Sequence, residues 1–266
     1  MNCKSPRFNL EKTTFLTTAI FIACGFSSAV KAATLADIAF IIDTSGSMSG
    51  DIEEVRNRII DFDTALVDNG IDARYGLTLF ADGENFVQNL TDFSTFNSPT
   101  GVFQTFSIGG GTESGSAATQ ISLNNSNFRS NSVKNFILIT DEDDDSSVDQ
   151  FNSIRSDLNA DDTSLFNFIG VPGTGNTDET YGVLASENGG SAFDIFEFRN
   201  NPEPFFDAFI NTKVQEIIDN NPDPDPDPDP DTDPDPDPND TTKTPEPMSL
   251  VGLLSFAFIG LIRRKK

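Results

Sequence analysis

Apolar residues recur in two rhythms through the middle of this chain. Apolar runs and alternations predict strands over 35–42, 73–80, 86–90, 134–140, 165–171 and 192–195. Three- and four-residue spacing predicts helices over 51–68, 113–124, 147–159, 177–187 and 204–218. In the first helix Ile52, Val55, Ile59, Phe62 and Leu66 fall near one face. Strands alternating with helices imply an α/β fold, doubly wound, with a mostly parallel central sheet and helices on both faces. The run 86–90 follows its neighbour through Asp82-Gly83-Glu84, a hairpin signal, so it is expected as one antiparallel edge strand.

Both ends break the rhythm. Residues 1–32 begin with Lys4, Arg7 and Lys12, pass through an apolar stretch over 15–26 and end in Val30-Lys31-Ala32, a cleavage pattern that would leave Ala33 first. They read as a secretory signal peptide. A retained anchor is one alternative, and a lipid on Cys24 is another, although Phe21 stands where such signals usually carry leucine. The globular region is 33–220, followed by a linker over 221–243. Asp-Pro alternation over 222–238, broken once at Thr232, should be extended and unpacked, roughly 50 Å long. It reads as a stiff spacer, with weak calcium binding by its carboxylates as the alternative.

Residues 244–266 combine Pro245-Glu246-Pro247, a largely apolar run over 248–262, and Arg263, Arg264, Lys265 and Lys266. The run is shorter than the about 20 residues of a permanent span, and its terminal charges would stay in the cytoplasm. This end resembles the PEP-CTERM sorting signal of exported Gram-negative and cyanobacterial proteins. The resemblance implies an exosortase as processing partner, transient membrane anchoring, and delivery to the cell surface or extracellular matrix. An uncleaved tail anchor is the alternative.

Charge and composition narrow the chemistry. The formal net charge is -25 although both ends are basic, so the region between them is more acidic still. Such a body repels nucleic acid and attracts cations. Histidine is absent, and the two cysteines, Cys3 and Cys24, lie in the leader. These facts exclude Ser-His-Asp and Cys-His catalysis and thiolate or imidazole metal sites in the mature region, and no enzymatic activity is expected. The 25 phenylalanines, with no tryptophan, read as core filling.

The chemistry concentrates where the first strand ends, at Asp43-Thr44-Ser45-Gly46-Ser47. One carboxylate and two spaced hydroxyls there present hard oxygens at a strand's carboxyl end, which suits a Mg²⁺-like cation. Two further segments matter: Gly109-Gly110-Gly111-Thr112 precedes a predicted helix, and Ile137-Leu138-Ile139-Thr140-Asp141 ends a predicted strand. Together they resemble von Willebrand factor type A domains, a Rossmann-like family, and their metal-ion-dependent adhesion site. The likeness spans about residues 35–219. It implies that Ser45, Ser47 and Thr112 offer hydroxyls to a divalent cation while Asp43 and Asp141 bind it directly or through water. Mg²⁺ is the first expectation, with Mn²⁺ or Ca²⁺ as alternatives. A ligand's own acidic residue would complete the shell. Leu184-Ala185, Gly189-Gly190 and Ser191-Ala192-Phe193 are similar to the family's penultimate helix, turn and final strand, with glycine permitting a left-handed cap.

Blander readings remain for each segment. Ser45 and Ser47 could cap the following helix, the glycines could form a plain loop, and Asp141 could belong to a solvated acidic run. Glu142 stands where the family often has glycine, and Asp143, Asp144 and Asp145 follow. That rim would favour a second cation or discourage acidic ligands. The leading functional expectation is a surface or extracellular adhesion module recognising a protein or surface polymer through the cation. The alternative is a structural acidic matrix or envelope component acting through charge and calcium bridging. A phosphohydrolase with Asp43 as nucleophile fits poorly, because Ser45 stands where a second aspartate is wanted and no basic phosphate clamp is evident nearby.

Overall fold

The computed structural model describes residues 33–222. The signal-peptide and sorting-signal readings, and nearly all of the spacer, lie outside the described residues. Six strands are present: β1 (Thr34–Asp43), β2 (Ile71–Phe80), β3 (Glu84–Thr91), β4 (Val133–Ile139), β5 (Ser164–Gly170) and β6 (Ala192–Asp194). They form one sheet in the order β3-β2-β1-β4-β5-β6. All neighbours are parallel except β2 and β3, which are antiparallel as the hairpin signal predicted. Asp82 and Gly83 take φ of 57° and 126° in that turn, positive values that suit a tight hairpin.

Side chains of β1 leave the sheet alternately on two sides, and each side has its own core. Ile38, Phe40 and Ile42 join α1 (Ser49–Asp68), α2 (Phe93–Phe96), α3 (Val102–Thr105), α7 (Ile195–Asn200) and α8 (Pro202–Asp219). Ala39 and Ile41 join α4 (Gly115–Asn125), α5 (Val148–Asn159) and α6 (Val183–Glu187). The expected helices on both faces are therefore present. Phenylalanines fill much of the first core: Phe40 stacks on Phe96 at 5.9 Å and Phe96 on Phe103 at 4.5 Å. Each such buried ring contributes about 1.5–3 kcal/mol by leaving water. Among the described residues no helix is long and apolar enough to cross a membrane.

Several local expectations need correction. The helix predicted over 177–187 begins as a π-helical turn, Asp178–Gly182, before α6. Ile195 ends no strand: the Asp194 side chain accepts from the Phe196 N–H at 2.8 Å, which caps α7 and turns the chain there. Helices α2, α3 and α7 fell outside the predicted elements, being four to six residues long. The left-handed cap after α6 is present, with Gly189 at φ 60°.

Candidate functional site

Strand β1 leads to β2 on one side of the sheet, whereas β4 lies against β1 on the other. The carboxyl ends of β1 and β4 therefore flank the topological switch point, where open α/β sheets keep their ligand crevices. Asp43 is the last residue of β1, and Thr140 and Asp141 directly follow β4. Two parallel strands thus bring together carboxylates nearly a hundred residues apart.

Asp43 is fully buried. Its Oδ1 accepts from the Ser45 N–H at 2.7 Å and its Oδ2 from the Thr140 hydroxyl at 2.8 Å. Burial raises its pKa, those hydrogen bonds oppose the rise, and Asp141 adds to it. Ser45 Oγ lies 3.1 Å from Ser47 Oγ, and Ser47 donates to Asp141 Oδ1 at 2.9 Å. Neither serine side chain caps a helix. The short 3-10 turn Gly46–Met48 and α1 both begin without a side-chain cap, so the capping reading of Ser45 and Ser47 does not hold. The hydroxyls face one another and the second aspartate instead.

Thr112 reaches the same rim less directly. Its loop docks through its backbone: Gly109 N–H donates to Thr44 O at 2.6 Å, and Asp82 N–H donates to Thr112 O at 3.1 Å. Gly110, at φ 113°, passes so close to Ala81 that a Cβ would lie 2.6 Å from the alanine's own, which explains a glycine there. The Thr112 side chain is exposed, and among the described residues its hydroxyl forms no hydrogen bond with the other four site residues. The structure joins Asp43, Ser45, Ser47 and Asp141 in one network and leaves Thr112 at its edge.

Two site residues had not been singled out. Glu113 is only 7% exposed, and burial pushes its carboxyl up to about 7, with Asp43, Glu142, Asp145 and Asp82 adding to the rise. Arg199 on α7 donates to Asp141 Oδ2 at 2.7 Å and grips Asp51, the acidic residue in the first turn of α1, through Nε and Nη2. A basic group does stand beside the site, contrary to expectation, but two carboxylates already occupy it. Beside it opens a groove of about 300 Å³, lined by Ser47, Asp51, Glu54, Phe198, Arg199 and Pro202.

The acidic run after Asp141 is not simply a negative rim. Asp145 accepts from the Glu113 N–H at 3.1 Å, Asp144 from the Ser116 N–H at 3.3 Å and from the Ser116 hydroxyl, and Ser146 Oγ from the Ala117 N–H at 3.0 Å. Asp144 and Ser146 thereby satisfy two free N–H groups in the first turn of α4 from across the chain, where its own Ser114 provides no cap, while Asp145 holds the residue just before that cap. Asp144 is buried in that role.

The donor set of the cluster is two carboxylates and two hydroxyls, all hard oxygens. Among the described residues no group of three or more Asp, Glu, His or Cys is arranged to hold a metal, so any ion would rely on the hydroxyls and on water.

Comparison with known proteins agrees with this architecture. A family model described as the von Willebrand factor type A domain matches residues 37–205. Among solved structures, a von Willebrand factor type A protein from Catenulispora acidiphila superposes with a TM-score of 0.52 at 16% identity, covering 70% of this chain. The match spans 43% of that longer protein. The SpRpn10 VWA domain (TM-score 0.46, 15% identity, 60% of this chain and 88% of that one) and proximal thread matrix protein 1 from the mussel byssus (0.49, 19%, 68% and 47%) are also similar. No curated protein matches by sequence. With well over half of the chain matched, the protein belongs to the von Willebrand factor type A domain family, whose members are generally protein-interaction and adhesion modules.

Proposed function

We propose that this protein is an exported adhesion module that recognises a protein or surface polymer through a divalent cation held by Asp43, Ser45, Ser47, Thr112 and Asp141. The observation that carries the reading is the turning of the Ser45 and Ser47 hydroxyls toward each other and Asp141. Serines at a helix start normally cap it, and these do not. Mg²⁺, Mn²⁺ and Ca²⁺ all suit oxygen donors, and Mg²⁺ best suits a site that keeps several waters. Where the two aspartates bind through water, the oxygens directly on the ion are neutral hydroxyls and water, so an acidic residue of the partner would complete its shell.

Recognition rather than catalysis is the proposed role, since histidine is absent and Arg199 is committed to Asp51 and Asp141. Nucleic acid is an unsuitable partner for a chain of net charge -25. The leader and the PEP-CTERM-like end support export, exosortase processing and display on a spacer.

Attachment of the full chain to its own cell surface tests the reading. Release by a chelator, and failure of Asp43→Ala to attach, are expected. If attachment survives both but is lost on deleting residues 222–238, the protein is instead a structural acidic component acting through its spacer.

A further inference from the structure

A second chemical centre lies away from the cation cluster, between β5 and α8. Lys213 on α8 is completely buried, and its Nζ contacts Oδ1 of Asn167 in β5 as well as Glu216 Oε2, one helical turn along. Phe193 and Phe209 close over the amine, with ring centroids 5.0 and 5.7 Å from Nζ. Every polar atom of Asn167 is held. Its Oδ1 also accepts from the Ser191 N–H at 2.9 Å, and its Nδ2 donates to Asn135 Oδ1 at 2.7 Å. Glu216 is oriented by the Ser191 hydroxyl, which donates to Oε1 at 2.6 Å.

We infer that Lys213 Nζ and Asn167 Cγ join in an isopeptide bond within the folded protein. The arrangement supplies an amine beside its target amide, a carboxylate on that amine and a donor on the carbonyl oxygen. The buried amine is packed beside its target amide between two aromatic rings, so proximity offsets the low reactivity of an amide. The Ser191 N–H polarises the carbonyl from the side where negative charge develops. Burial lowers the Lys213 pKa to about 8, which eases formation of the neutral amine.

The step balances without any further reagent. Glu216 takes one proton from the lysine ammonium, and the neutral Nζ attacks Cγ of Asn167 to form the new C–N bond. Glu216 then passes its proton to Nδ2 and accepts the second one leaving Nζ. The Cγ–Nδ2 bond breaks, and ammonia departs with that last proton as ammonium, leaving Glu216 ionised. Glu216 is partly exposed, which gives the product an exit. The bond would fasten α8, the helix that leads into the Asp-Pro spacer, to the sheet. A pull through the spacer would then load β5 instead of peeling α8 away.

The test is the denatured intact mass of the full chain, measured beside Lys213→Met and Glu216→Gln made in the same way, followed by tryptic mapping. The expected wild-type mass is lower by one ammonia than its mapped peptides would sum to unlinked. Trypsin should leave Lys213 uncut, and a branched peptide should join it to Asn167. Both variants should keep the ammonia. A full wild-type mass with cleavage after Lys213 overturns the inference, and so does loss of ammonia without the branched peptide, which would indicate a succinimide. The wild-type measurement decides the matter even if a variant fails to fold.

Discussion

Arg199 donates a 2.7 Å hydrogen bond to Asp141, linking α7 to the carboxylate that follows β4. The same guanidinium holds Asp51, buried on α1, and the Asp51 hydrogen bond is the main reason its own pKa is raised. A fixed positive charge against Asp141 opposes any incoming cation. Arg199→Gln should therefore bind Mg²⁺ about tenfold more tightly, roughly 1.4 kcal/mol, by calorimetric titration. In chelator the variant should lose about 1–3 kcal/mol in urea unfolding, because Asp51 stays buried without its partner.

The capping role of the acidic loop separates its members. Asp144→Ala should cost about 2–4 kcal/mol in urea unfolding, since it removes a buried charged acceptor from the Ser116 N–H and hydroxyl and the Ser146 N–H. Glu142→Gln, at an exposed position, should stay within about 0.5 kcal/mol. Calcium should not rescue Asp144→Ala, because the loss is of helix capping.

Asp37 anchors the opposite end of β1. It is fully buried, and its carboxylate accepts from Arg74, from the Arg129 side chain and N–H, and from Ser132. Burial alone would raise its pKa, but the Arg74 and Arg129 hydrogen bonds and charges outweigh it and leave the value below 3.8. A carboxyl with a depressed folded pKa contributes stability that is complete above its unfolded value and is lost as pH falls toward the folded one. Asp37→Asn should therefore cost about 3–5 kcal/mol at pH 7. Its stability should fall less steeply than the wild type's below about pH 3.8, measured by urea unfolding across pH.

Strands β1, β2, β4 and β5 were legible because largely buried strands read as apolar runs, whereas β3, with no buried residue, was legible from the Asp82-Gly83-Glu84 turn before it. The pieces of the candidate site were legible for a related reason: Asp43 and Asp141 each follow such a run, so their position at strand ends could be read locally. Arg199 could not be found this way. It reaches Asp141 only because Asp194 turns the chain into α7, a helix too short to show a period. Glu142 to Asp145 looked like one rim because sequence gives charge without side-chain direction, whereas Asp144 and Asp145 turn toward α4. Lys213 would ordinarily be placed on the solvent side of α8, and only the packing of β5 against that helix shows it buried beside Asn167.

Titration of the full chain with Mg²⁺, in parallel with Asp43→Asn and Ser47→Ala, tests whether these side chains hold a cation. Both substitutions preserve side-chain shape closely enough for folding to be checked by circular dichroism. The wild type should bind one Mg²⁺ equivalent that is absent or at least tenfold weaker in both folded variants, a difference of about 1.4 kcal/mol or more. Equal Mg²⁺ binding by all three proteins would contradict it.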